Sequence, residues 1–396
     1  GIRVQPRSRG LGDVYKRQGI YSYGHDWSTA FLEDGKILFA IEEERLKRIK
    51  HFGLYDRNPL EFLPLMGIKK GMEVLNLTWK DIDVVAIGRN PQFKFQLRPL
   101  YYDFTYRRRI TRFFSKRGIR KIYWIRHHDA HAGAFFLSGF RKAAVLVADG
   151  GGDNESTTLY IASKDNGLER IKTIPRSNSL GRMYSAISVW LGLGFMDGPG
   201  KTMGLSSYGN PESISANFYE PTDDGYITHY EIIKSLGRPR KTGEDIMKRN
   251  YKDVAAKLQK DLEKVLLHLF QKLHDYTSYK NFVFSGGVAL NAKANGLIYL
   301  QDFVDNFFIF PPAGDAGTSL GAAAYAYWLE TGKCCEEFKH VYHGTEYSNE
   351  EILAHLKKCK LKFEYYDDIA GVTAELLAKG NIIGWFQGRM EVGPRA

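Results

Sequence analysis

Residues 21–46 read YSYGHDWSTAFLEDGKILFAIEEERL, and this stretch decides the fold. Short apolar runs flank Asp34-Gly35, a dipeptide that suits the positive φ angles of a tight hairpin turn. The pattern predicts strand, turn, strand, turn, strand, with His25 and Asp26 in the first turn. The theme recurs over residues 143–163, AAVLVADGGGDNESTTLYIAS, which predict an apolar strand, a Gly-rich turn at 149–154 and an alternating strand. Between the two blocks, residues 121–140, KIYWIRHHDAHAGAFFLSGF, predict a short strand running into a helix.

Helical periodicity fills residues 180–193 and 251–276. Next come the strand NFVFS (281–285), an SGG turn, a helix from Val288, the strand FFIF (307–310), the loop PPAGDAG (311–317) and a helix to Leu329. Alternating β and α elements predict an α/β protein with helix-covered sheets. From about residue 348 the pattern gives a helix, a strand LKFEYY (361–366), a helix and a strand NIIGWF (381–386), before GRMEVGPRA. Residues 1–18 begin without Met and carry neither periodicity, so they are set aside as a non-native leader. The resulting division is a leader at 1–18, a first lobe at 19–140, a second lobe with an inserted helical segment at 141–335, and the start of a truncated C-terminal domain at 345–396.

With 396 residues, 43% hydrophobic and 26% charged, the chain has the composition of a globular protein of two or three domains. No apolar run approaches the ~20 residues that span a bilayer, and no secretory leader pattern opens the chain, so no membrane is expected and the location is read as cytoplasmic. Cys334, Cys335 and Cys359 form neither a disulfide framework nor a CxxC zinc pair. The net charge of +11 concentrates in residues 107–126, with nine Lys or Arg and no acid. A basic helix facing solvent or another subunit accounts for that stripe better than nucleic acid, which is not expected as a partner. A homodimer stays open.

Three Gly-rich turns carry the chemistry: GHDWST around Gly24, DGGGDNESTT at 149–158 with Gly150, Gly151 and Gly152, and SGGVALN at 285–291 with Gly286, Gly287, Val288 and Asn291. Backbone N–H groups of such turns and a helix N-terminus face phosphate well, so together they predict a nucleotide clamp. GPGKTMG (198–204) is not a P-loop, because the leading glycine would fall on Phe195; Lys201 still offers a point charge to phosphate. In RHHDAHAGAFF, His127 and His131 lie four apart at a helix start, and Asp149 and Asp315 are expected at the same cleft. Two imidazoles with two carboxylates suit Fe(II), Mn(II) or Zn(II).

The order of the turns resembles the actin/hexokinase-like superfold (ASKHA), in which ATP lies between two related lobes. More specifically, GHDWSTAFLEDGKILFAIEEERLKRIKHF, HHDAHAGAFFLSGF, VADGGG, GKTMGLSSYG, FSGGVALNAKANG, PPAGDAGTSLGAA and WFQGRMEVGPRA resemble, in order, the NodU/CmcH-type O-carbamoyltransferases. The resemblance implies that carbamoyl phosphate and ATP give carbamoyladenylate in a C-terminal domain. Lobes like those here, related to tRNA threonylcarbamoyl transferases, then pass the carbamoyl group to a hydroxyl of a small-molecule or saccharide acceptor. It implies His127, His131, Asp149 and Asp315 as ligands of a metal, Fe(II) first among the three, with Gly286, Gly287 and Asn291 around adenosine. His25 falls near the transferring group, with Lys201 a second catalytic candidate. Arg389 and Arg395 are candidates for phosphate or carbamoyl. Two departures stand out: KRQ precedes Gly19 where the family has an apolar strand, and the sequence stops at Ala396, short of the adenylate-forming domain that the resemblance leads one to expect. The competing readings are a tRNA-modifying threonylcarbamoyl transferase, and a kinase, ATPase or non-catalytic nucleotide-binding module of the same superfold.

Overall fold

Lys16–Tyr21 (β1), Ser28–Glu33 (β2), Lys36–Glu42 (β3), Val84–Ile87 (β4) and Lys121–Trp124 (β5) form one sheet in the order β3-β2-β1-β4-β5. The computed structural model describes residues 16–22, 24–53, 62–90 and 99–394. Asp34 (φ 47°) and Gly35 (φ 84°) make the β2–β3 turn, as their residue types require. The first strand corrects the leader boundary: residues 16–18 pair with β2 on one side and, from Arg17, with β4 on the other, and Gln18 is fully buried. A central strand is held by its backbone ladder on both edges, so a polar KRQ stretch takes the place without an apolar pattern.

The second sheet repeats the first. Lys142–Gly152 (β6), Glu155–Ser163 (β7) and Gly167–Pro175 (β8) are antiparallel; a small hairpin, Tyr219–Thr222 (β9) and Gly225–Thr228 (β10), intervenes before Asn281–Ser285 (β11) and Asn306–Ile309 (β12), which lie parallel to β6. The order β8-β7-β6-β11-β12 matches β3-β2-β1-β4-β5, which gives the two-lobed α/β architecture expected from the recurring opening. The β6–β7 turn falls at Asp153 (φ 50°) and Asn154 (φ 69°), beyond the glycines, so Gly150 to Gly152 remain in the strand, at an irregularity in its register.

The helix Leu180–Trp190 starts where the Ser179 hydroxyl accepts from Arg182 N–H at 3.1 Å, and Arg249–Thr277 lays its buried face into the second lobe's core. Thr318–Thr331 runs between the lobes and is buried along most of its length. Its backbone comes so close to neighbours that a Cβ on Gly19 would lie 1.9 Å from the Ser319 carbonyl oxygen.

Residues 361–366 and 381–386 form no strand, contrary to their alternation. A strand needs a neighbour to hydrogen-bond, and among the described residues these segments have none; Trp385 and Phe386 stay more than half exposed. Among the described residues, no helix is long and apolar enough to cross a membrane.

Candidate metal centre and nucleotide cleft

Four ligand-type side chains converge where the lobes meet. The helix His127–Ala132 sets His127 and His131 one turn apart on one face, β6 delivers Asp149, and the turn Asp315–Gly317 delivers Asp315. All four are buried. The two imidazole Nε2 atoms are 3.2 Å apart; His127 Nε2 is 3.5 Å from Asp149 Oδ2 and 3.4 Å from Asp315 Oδ1, and His131 Nε2 is 3.5 Å from Asp315 Oδ1. Ligands about 2.1 Å from one ion stand roughly 3.0 Å apart at a right angle and roughly 3.4 Å apart at a tetrahedral one, so these separations fit a shared cation. Asp315 Oδ1 is buried without a hydrogen-bond partner, an atom in search of positive charge.

The surroundings fix these groups. Tyr21 donates its hydroxyl to Asp315 Oδ2 at 2.6 Å, while Asp149 accepts from Gly151 N–H at 3.0 Å and from Gly287 N–H at 3.1 Å. Ser285 Oγ lies 3.5 Å from His131 Nδ1. Burial opposes ionisation of both carboxylates, yet the imidazoles hold Asp149 and Asp315 below the usual range. Burial likewise opposes the charged form of His127, but Asp315 and Asp149 raise its pKa well above the ordinary value. A pocket that draws a proton onto a buried imidazole is one built for positive charge.

His25 stands at the rim. Its Nε2 is 3.8 Å from Asp315 Oδ2 and its Nδ1 2.8 Å from Asp26 Oδ2. Burial alone would lower its pKa; Asp315 and Asp26 outweigh that and push it up to about 9.

Beyond the four ligands the cleft opens to a cavity of about 650 Å³. Tyr184, Met203, Leu262, Val288 and Leu290 line one part, a surface suited to a flat nucleobase, while Gly150 and Gly287 present backbone near Asp149. Asn291 lines the cavity, but its amide is engaged by Gln259 and caps the following helix through Ala294 N–H. Gly286 (φ 93°) serves chain approach instead, since a Cβ there would lie 2.3 Å from the Ala148 carbonyl oxygen. Of the other glycines singled out, Gly151 faces Arg176 and Gly152 packs on His127, where a Cβ would come within 2.1 Å of the ring; neither lines the cavity. Lys201 does line it, exposed on the helix Gly198–Leu205. Arg389 does not: its guanidinium donates to the carbonyls of Gly344, Leu38 and His343. Arg395 lies outside the described residues.

Sequence reasoning missed Glu42. Gly393 N–H donates to its Oε1 at 2.6 Å, and Arg45 donates to the Gly393 carbonyl at 2.9 Å, which pins the C-terminal segment beside the cavity. Burial pushes the Glu42 carboxyl up to about 7, against the opposing pull of Arg45 and the Gly393 N–H. The folded protein thus retains a proton there that the unfolded chain, with its ordinary value of 4.5, releases earlier. Stability from this group is complete below that value and is lost as pH rises through about 7, by about 3 kcal/mol at most. Urea unfolding of the wild type should show that decline between pH 5 and 8, and Glu42→Gln should flatten it; equal slopes in both proteins would remove Glu42 as its source.

A family model described as the carbamoyltransferase N-terminus matches residues 94–324, more than half of the chain. The chain belongs to the carbamoyltransferase family. This carbamoyltransferase is 31% identical to the nodulation protein NolNO of Sinorhizobium fredii, over 95% of its own length and 57% of that protein. It is 23% identical to the 3'-hydroxymethylcephem-O-carbamoyltransferase of Streptomyces clavuligerus, over 94% of its length and 70% of that enzyme. Among solved structures, HypF of T. kodakarensis matches at TM-score 0.54 and 15% identity, over 83% of this chain and 51% of that one, a likeness of fold alone. The carbamoyltransferase therefore has the actin/hexokinase-like two-lobed fold expected from its sequence, and is an enzyme of the carbamoyl-transferring type.

Proposed function

We propose that this carbamoyltransferase moves a carbamoyl group from carbamoyladenylate to a hydroxyl of a small-molecule or saccharide acceptor, at a divalent cation held by His127, His131, Asp149 and Asp315. The observation that carries the reading is the junction of four buried ligand atoms with an apolar nucleoside-sized cavity. The cation would supply Lewis acidity against the carbamoyl or phosphate oxygen that gains charge during attack. Fe(II) leads by resemblance, and Mn(II) or Zn(II) fit the same donors.

Within this reading the acceptor oxygen bonds to the carbamoyl carbon, the bond from that carbon to the adenylate oxygen breaks, and AMP leaves with the electron pair. The acceptor's proton passes to His25, whose Nε2 faces the Asp315 edge of the cleft. Asp315 is a main cause of the raised His25 pKa; a cation held by the tetrad would offset that carboxylate and bring the imidazole towards a useful base. Gly150 and Gly287 offer backbone to the phosphate, Val288 and Leu290 flank the nucleoside, and Lys201 supplies a mobile charge at the mouth. ATP and carbamoyl phosphate as donors agree with a cytoplasmic place of action.

The test is the nucleotide product. Synthetic carbamoyladenylate supplied to the protein, with water or simple polyols as acceptors, is expected to yield AMP in a reaction lost in His25→Ala. Hydrolysis of ATP to ADP, with carbamoyladenylate left intact, would move the assignment to a kinase or ATPase. One observation favours a second reading: Arg108 and Arg112 lie exposed on the helix Pro99–Ser115, with Lys116 exposed just beyond its end, a surface that tRNA would suit. Tight, salt-sensitive tRNA binding would support a threonylcarbamoyl transferase.

A further inference from the structure

A second hydrogen-bonded chain starts at His25 and leaves the metal centre. Asp26 Oδ2 meets His25 Nδ1 at 2.8 Å, and the other oxygen, Oδ1, meets His51 Nδ1 at 2.8 Å. His51 Nε2 then reaches Asp197 Oδ1 at 3.3 Å, and Lys50 binds the same carboxylate. His51 N–H donates to Glu44 Oε2 at 2.7 Å. The inner groups belong to the first lobe, whereas Asp197 precedes the helix Gly198–Leu205 of the second.

The backbone supports this arrangement at a cost. Asp26 (φ 54°) and His51 (φ 53°) are both non-glycine residues in the left-handed region, which L side chains adopt sparingly. Two such residues facing each other across one carboxylate indicate a geometry imposed by the surroundings. Adjacent in sequence, His25 and Asp26 alone would leave both side chains free to turn. A carboxylate gripped at both oxygens has one orientation, and the imidazole bonded to it has one as well.

We propose that His51 is a positioning residue: by occupying Asp26 Oδ1 it fixes the Asp26 carboxylate, which in turn holds the His25 ring with Nε2 facing the Asp315 edge of the cleft. The inference rests on the carbamoyl-transfer reading only for the role given to His25. The orientation itself is independent of the reaction.

Two substitutions separate the two ends of the His51 ring. In His51→Asn, the amide nitrogen sits where Nδ1 was and asparagine tolerates a left-handed backbone, so the Asp26 bond survives and the Asp197 bond is lost. In His51→Gln, the amide nitrogen reaches towards the Nε2 position, so the Asp197 bond survives and Asp26 Oδ1 is left bare. Crystal structures of wild type and both variants, each with a non-hydrolysable ATP analogue, are expected to show the His25 ring unmoved in His51→Asn and turned in His51→Gln. AMP release from carbamoyladenylate should fall by about 10-fold or more in His51→Gln and by less than about 3-fold in His51→Asn, because a misdirected base loses reach to its proton. Metal content should be equal in all three. A His25 ring unchanged in His51→Gln, or turned equally in both variants, would overturn the proposal. If the wild type itself releases no AMP, the carbamoyl-transfer reading fails while the ring orientations still decide the positioning role.

Discussion

Asp315→Ala is expected to lower the affinity for divalent metal by at least about 100-fold, roughly 3 kcal/mol, as read by calorimetric titration. Asp315 is the member of the tetrad that approaches both imidazoles, at 3.4 and 3.5 Å, and its Oδ1 has no other partner. Its removal leaves two neutral-type donors and the Asp149 carboxylate, which is shared with Gly151 and Gly287 N–H groups. Tyr21 also loses the acceptor of its buried hydroxyl. Asp315→Asn should fall between wild type and alanine, since it keeps the shape and an oxygen but drops the charge. Wild-type affinity in Asp315→Ala would mean that the ion, where one binds, sits elsewhere.

Gly321→Ala is expected to destabilise the protein by about 3 kcal/mol or more and to reduce bound metal in the molecules that remain folded. A Cβ at that position would lie 1.9 Å from the Ala130 carbonyl oxygen, and one on Gly133 would lie 2.1 Å from the Gly321 carbonyl oxygen. Both obstacles are backbone, so no side chain can turn away to relieve them. The helix carrying Gly321 begins three residues after Asp315, and Ala130 lies between His127 and His131 on the opposing helix. Forcing these helices apart therefore widens the gap that the metal must bridge. Gly296→Ala provides the contrast, because a Cβ there meets nothing within 4 Å and the residue lies in a helix with no positive φ. It should gain about 0.5–1 kcal/mol in urea unfolding. Equal stability of Gly321→Ala and wild type would contradict the close packing.

The fold was legible where local chemistry and tertiary structure agree. Asp34-Gly35 announces its turn by backbone preference, and the apolar runs on either side follow the pleat. His127 and His131 were readable because helical spacing alone puts them on one face. Asp149 and Asp315 were readable because one closes an apolar run and the other sits in the Gly/Pro-rich loop after a strand, both expected at one cleft, although Asp149 proves to lie inside β6 rather than at its end. What escaped depends on partners distant in sequence. Lys16 to Gln18 are strand because β2 and β4 pair with them, which no side-chain pattern encodes. Tyr21, Glu42 and His51 look like ordinary strand and loop residues, and gain meaning only from Asp315, Gly393 and Asp26. In the other direction, LKFEYY and NIIGWF carry strand alternation without a neighbouring ladder among the described residues, so propensity alone misled. The DGGG stretch misled for a different reason. Glycines mark turns, but they also mark places where a bulky neighbour needs room, and at Gly152 that neighbour is the His127 ring.

Anomalous diffraction from crystals grown with Fe(II) or Mn(II), recorded on both sides of the metal's absorption edge, tests the centre most directly. One strong peak is expected about 2.0–2.3 Å from His127 Nε2, His131 Nε2 and oxygens of Asp149 and Asp315. A map without a peak there, or with the ion between Asp26, Glu44 and His51 instead, would contradict it.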